Sequence, residues 1–221
     1  VLGQQKVDEK TNEIKAIPAL LDVLMLAGCI VTIDAMGCQT AIAQKIVDKG
    51  ADYLLSVKKN QKMLLSDIIG IFETAQQLDF VAIIHDYHKT TEKSHGRLET
   101  RECWVITDPE YLSLLQGKDN WANLNAIIKV KATRHQSGKE VCRYYISTLD
   151  KKAEFLLDTV RGHWGIENQL HWVLDVVFRE DGSRVRSKHS PENFAIIRHI
   201  ALNLLRKETS SKRSLKNKRF K

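Results

Sequence analysis

Two acidic residues stand where they could do chemistry. Asp34 directly follows Cys29–Ile33, "CIVTI", a short β-branched run. A carboxylate there sits where a strand leaves a sheet, the place where α/β folds build their sites, although an isolated Asp in that position also suits a helix cap or a turn. Glu167 lies in Val160–Glu180, "VRGHWGIENQLHWVLDVVFRE". Read as a helix, this segment repeats His163, Glu167, His171 and Asp175 every four residues on one polar stripe. Trp164, Leu170, Val173, Leu174 and Val177 then form its buried side. Such a stripe can equally be a solvated face. Gly162 and Gly165 each cost about 1 kcal/mol relative to Ala inside a helix, which predicts a close backbone approach. Glu167 lies between two His residues rather than beside one, and HExxH is absent, which argues against a zinc protease. Carboxylates from a strand end and a late helix are hard oxygen donors suited to Mg²⁺ or Mn²⁺. Two such ions about 3.5–4 Å apart can activate an attacking oxygen and stabilise a leaving one at phosphorus.

The elements that must carry these residues follow from apolar spacing. Glu13–Ala27 reads as a helical stripe through Ile14, Ile17, Leu20, Leu21 and Leu24, in which Pro18 fits the first turn if the helix begins there. The strand Cys29–Ile33 comes next, then a helix over Thr40–Lys49 capped by Gly50. Tyr53–Val57, "YLLSV", is a second buried strand. Strand, helix and strand at this length predict a parallel crossover with its site at the carboxyl ends of the strands. Gln61–Leu78 is helical, and Val81–Ser147 holds several strands, the last two forming a hairpin across Ser137 and Gly138. Lys152–Phe178 reads as one long helix. A final helix runs through Phe194–Leu205, with Ser190 as its N-cap and Pro191 in its first position.

Composition narrows the classes further. The 221 residues carry 34 Lys and Arg against 27 Asp and Glu, a formal net charge of +7. Eight of the basic residues and one Glu fall in 206–221, so 26 of each sign remain before Arg206. The surplus belongs to the tail, where it favours a polyanionic partner. The longest nearly uncharged apolar run, Val23–Ile33, is far shorter than the roughly 20 residues of a membrane span. Four scattered cysteines without a CxxC pair argue against a zinc ribbon or a disulfide scaffold and predict free thiols. Val1 opens neither a signal nor a transit peptide.

Five blocks in one order carry a resemblance: "VTIDAMGCQ", "ADYLLSVKKNQ", "SHGRLETREC", "RGHWGIENQLHWVLDVVFREDGSRVR" and "NFAIIRHIALNLLRKE". Together they resemble the DDE transposases of bacterial insertion sequences, in the group containing the H-repeat-associated proteins. The resemblance implies an RNase H-like α/β fold, a mixed sheet flanked by helices, with a β-rich insertion before the last catalytic helix. It implies an Asp, Asp, Glu triad binding two Mg²⁺ or Mn²⁺ ions, with Asp34 as the second Asp and Glu167 as the Glu. Residues 1–60 correspond to part of the core, 61–150 to a helix plus the insertion, 151–205 to the helical completion, and 206–221 to a basic tail. The wider superfamily sets the Glu in a Tyr, Arg, Glu, Lys signature. Those other places hold Val160, His163 and Leu174 here, so their roles do not transfer. The first Asp belongs to a strand expected upstream of Val1, which makes the chain a truncated portion without transposition activity alone.

The implied activity is metal-dependent cleavage of element ends and strand transfer into target DNA, by a homo-oligomer on DNA in the bacterial cytoplasm and nucleoid, with no membrane association. Lys58 and Lys59 follow the second strand and could meet phosphates beside Asp34. Arg97 and Arg101 lie with Glu99 on one strand face that is either near DNA or simply charge-paired. Arg184 and Arg186 belong to the loop 179–188, net +2 by count, which could track a DNA backbone or be a mobile surface loop. His163, Asn168 and His171 are candidate neighbours of the metal site. Two rivals remain at this point: a metal-dependent nuclease without strand transfer, and a non-catalytic DNA-binding remnant of a decayed element.

Overall fold

Alternation of apolar residues along the strands dictates a layered arrangement, and a computed structural model of the chain has it. The structure describes residues 13–94 and 97–219, with the side chains of 13, 94, 97, 167 and 168 outside the description. The chain divides into two units, residues 12–163 and, among the described residues, 164–219.

The first unit opens with α1 (Glu13–Val23), β1 (Ile30–Ile33), α2 (Thr40–Asp48), β2 (Asp52–Val57) and α3 (Lys62–Gln77). Then come β3 (His85–Ser94), β4 (Arg97–Ile106), the short α4 (Pro109–Ser113), β5 (Ala126–Arg134) and β6 (Lys139–Ser147). α5 (Ala153–Ile166) closes the unit through His163. The strands form one six-stranded mixed sheet in the order β1-β2-β6-β5-β4-β3. β1 and β2 are parallel, as the crossover spacing predicts, and every other pairing is antiparallel. The strand-rich middle of the chain therefore continues the sheet through β6, which lies against β2.

Each central strand splits its side chains between two cores. Tyr53, Leu55 and Val57 of β2 join Ile127 and Ile146 under α1, α2 and α3. Leu54 instead joins Ile128, Val130 and Tyr145 beneath Leu156, Leu157 and Val160 of α5. At about 25 cal/mol per Å² of apolar area, these two clusters are the dominant favourable term of the unit. The hairpin across Ser137 and Gly138 is present, with Gly138 at φ 63 supplying the left-handed turn position.

Three expectations about helices change. α1 stops at Val23 and holds Pro18 in its interior, not in a first turn. The long helix over Lys152–Phe178 is broken: α5 gives way to a π-helical segment, Glu167–His171, and then to α6 (Trp172–Val176). A π turn takes more residues than an α turn, so the segment does not continue the α-helical hydrogen-bond step of α5. α7 (Ser190–Lys207) takes His189 as N-cap without a side-chain cap hydrogen bond, placing Ser190 inside the helix with Pro191 in its first turn.

In the second unit, Val173, Leu174, Val177 and Phe178 bury against Leu202 of α7. Trp164, expected on a buried side, is 40% exposed. The tail folds back locally through α8 (Leu215–Arg219): Leu215 joins that cluster, and Lys218 pairs with Glu208 at 3.3 Å. Arg219 donates to the Val177 carbonyl, with its guanidinium 5.2 Å from the centre of the Phe178 ring. Among the described residues no helix is long and apolar enough to cross a membrane.

Candidate active site

β1 ends at Ile33 because the chain turns immediately into a 3-10 helix, Ala35–Gly37, capped by Asp34. The Met36 N–H donates to Asp34 Oδ1 at 3.1 Å. The side chain thus makes the cap that its residue type favours. Its exposed carboxylate keeps Oδ2 without a hydrogen bond among the described residues. Gly37 allows this turn. A Cβ there would lie 2.3 Å from Cγ2 of Ile33 and 3.2 Å from Cδ1 of Ile17.

Parallel pairing brings the end of β2 to the same edge of the sheet. Lys58 and Lys59 lead into a second 3-10 turn, Lys59–Gln61, and both are exposed. Two amides fasten this turn to the one after β1: Asn60 Nδ2 donates to the Ala35 carbonyl at 2.5 Å, and Gln61 Nε2 to the Cys38 carbonyl at 2.9 Å. Asp34 and the lysine pair are therefore held on neighbouring loops at the carboxyl ends of two parallel strands. A carboxylate and mobile ammonium groups there can face a cation and the phosphates that accompany it.

α5 is fixed by residues that sequence spacing does not single out. Asp86 of β3 accepts the Ala153 N–H at 2.7 Å, capping the helix from a distant strand. Eight residues along α5, Arg161 makes two hydrogen bonds to Glu92 of β3, at 2.7 and 2.8 Å. His163 Nδ1 lies 3.1 Å from Thr32 Oγ1 of β1. β1 and β3 are opposite edges of the sheet, about 24 Å apart if it were flat at ~4.8 Å per strand. Because both touch the same turn of α5, the sheet must curl around that helix. The partners of Arg161 and Ala153 lie 69 and 67 residues away, a separation at which periodicity carries no signal.

The other sequence candidates are placed as follows. Arg101 is shared between Glu99 at 2.5 Å and Glu92 at 3.5 Å, so that strand face is charge-paired. The side chains of Arg97, Glu167 and Asn168 lie outside the described residues. Glu167 is the first residue of the π-helical segment, and His171, exposed, is the last. Arg184 and Arg186 are exposed, Arg186 donating to the carbonyls of Ser183 and Val185. Nothing lies within 4 Å of a Cβ built on Gly162, and only Gln169 Nε2 comes that close to one on Gly165. The close approach expected at these glycines is absent among the described residues, where also no group of three His, Cys, Asp or Glu could hold a metal ion.

A family model described as "Transposase DDE domain" matches residues 1–204. The chain belongs to the DDE transposase family. It is 40% identical to "H repeat-associated putative transposase YhhI" of Escherichia coli strain K12, over 99% of this chain and 58% of the relative. It is 42% identical to "Putative transposase YncI" of Escherichia coli O157:H7, over 100% of this chain and 57% of the relative. The chain thus spans a little under three fifths of the length of these curated relatives. No solved structure matches it. Family membership accounts for a mixed α/β sheet flanked by helices.

Proposed function

We propose that this DDE transposase chain contributes Asp34 and Glu167 to a metal site that cleaves the DNA ends of an insertion sequence and joins them to target DNA. The observation that carries the reading is the position of Asp34 at the end of β1, on a loop tied by Asn60 and Gln61 to the one bearing Lys58 and Lys59. The donor chemistry at Asp34 fits the group: an exposed carboxylate with one oxygen uncommitted among the described residues suits Mg²⁺ or Mn²⁺. The metals, when bound, supply Lewis-acid activation of the attacking oxygen and neutralisation of the leaving one.

The chain's own residues do the rest. Asp34 and Glu167 hold the ions, and Lys58 and Lys59 position the phosphate backbone beside them. His163, Asn168 and His171, near Glu167 in sequence, orient substrate. Arg184 and Arg186 contact backbone elsewhere, as does Arg97 on β4. The ion pairs of Arg101 favour a structural role for that residue. Within this reading the sheet from β3 to β6 is the β-rich insertion of the RNase H-like fold, and the working protein acts as an oligomer on DNA.

The test is a protein of the relatives' full length carrying this sequence, assayed for Mg²⁺-dependent cleavage and joining of element-end DNA. Asp34→Asn and Glu167→Gln are each expected to lower cleavage at least a hundredfold while leaving DNA affinity within about threefold. Cleavage retained in both variants overturns the assignment.

A further inference from the structure

The β5–β6 hairpin ends in a charge arrangement that folding alone does not favour. Its register sets Arg134 directly opposite Lys139, and like charges facing each other across a ladder are destabilising. Several neighbouring cations, by contrast, have carboxylate partners. Lys131 pairs with Glu140 at 2.7 Å, Arg101 with Glu99 and Glu92, and Arg161 with Glu92. Glu99, the cross-strand neighbour of Arg134 on β4, is already bound to Arg101. Among the described residues neither Arg134 nor Lys139 forms a side-chain ion pair or hydrogen bond, and both are exposed.

That tip is braced. His135 Nε2 lies 2.8 Å from Thr100 Oγ1, which lies 2.9 Å from Thr91 Oγ1, a ladder across three strands. The backbone N–H of His135 also donates to the Leu98 carbonyl at 3.1 Å. Two unmatched cations are therefore presented on a preorganised prong, which lowers the ordering cost of binding. The prong points towards the Asp34 end of the sheet. Tyr144 of β6 faces Val57 at the end of β2, and Lys139 lies five residues further out, about 17 Å at ~3.4 Å per residue. That span corresponds to about five base pairs of B-DNA at 3.4 Å each.

We infer that Arg134 and Lys139 form a DNA-backbone contact about five base pairs from the Lys58–Lys59 turn, so that one duplex touches both. This deepens the proposed function and rests on its reading of DNA as the partner.

The experiment measures affinity of the 221-residue chain for a fluorescein-labelled 30-base-pair duplex, without metal, from 50 to 200 mM salt. Loss of two phosphate contacts should reduce the slope of log K against log salt by about 1.8 in the Arg134→Ala, Lys139→Ala double variant. The fall in affinity across that range would then be about twelvefold smaller than for the parent chain. Arg134→Lys should keep the parent slope. Lys118→Ala with Lys151→Ala removes the same charge from the opposite end of the sheet and should also keep it. An unchanged slope in the prong variant, or an equal change in the Lys118, Lys151 control, overturns the prong while leaving DNA as partner. Failure of the parent chain to bind the duplex overturns both.

Discussion

Asp34 shows how much a single residue type and its neighbours determine. Its place after an apolar strand makes it a cap by local chemistry, and it caps the 3-10 turn through Met36. Its functional candidacy comes from the loop next door, where Asn60 anchors the lysine-bearing turn to the Ala35 carbonyl. Gly37 protects that geometry for a reason the motif "TIDAMG" does not reveal: there is no room for a methyl group against Ile33 and Ile17. Gly37→Ala is expected to destabilise the first unit by about 1–3 kcal/mol, the usual cost of overpacking. Chemical denaturation compared with Gly70→Ala, which meets nothing within 4 Å on the exposed side of α3, checks this. Equal effects of the two substitutions would remove the steric argument.

Among the elements, α5 is the one whose position sequence could not supply. Its apolar periodicity is legible, and in the structure Leu156, Leu157 and Val160 are its buried residues. Its anchors are not legible, because Asp86, Glu92 and Thr32 become neighbours only after the sheet has curled. Asp86→Ala removes the cap on the Ala153 N–H and should cost about 1 kcal/mol. Glu92→Gln weakens two charge-assisted hydrogen bonds of a half-exposed pair and should cost about 1 kcal/mol or less. Amide hydrogen exchange along α5 is the direct measurement. Faster exchange confined to the first turn is expected for Asp86→Ala and to the last turns for Glu92→Gln. Unchanged exchange in both would mean that apolar packing alone fixes the helix. The π-helical segment was equally hidden, since it changes the hydrogen-bond step without changing the apolar pattern enough to be read.

At the scale of the whole molecule, the two cores sort the cysteines. Cys38 and Cys103 are fully buried, and burial pushes both thiols up to about 12. Cys29 and Cys142 are exposed. Reaction with an aromatic disulfide reagent at pH 8 should modify two thiols within minutes and the other two only at the rate of unfolding. Four thiols reacting together would contradict the layered packing.

By itself the sequence determined the α/β class, the parallel β1-β2 crossover, the hairpin at Gly138, the free thiols, and Asp34 and Glu167 as the residues to weigh. These follow from local periodicity, turn chemistry and residue type. Tertiary structure alone decided which face of each strand meets which helices, how distant carboxylates anchor α5, and which cations stay unmatched. The net charge illustrates the difference. Composition assigns the surplus to 206–221, yet Arg219 and Lys218 are engaged by Val177 and Glu208, whereas Arg134 and Lys139 stand unpaired among the described residues in a stretch that is formally neutral. Charge summed along a chain ignores distance, and electrostatic compensation depends on distance, which only folding fixes.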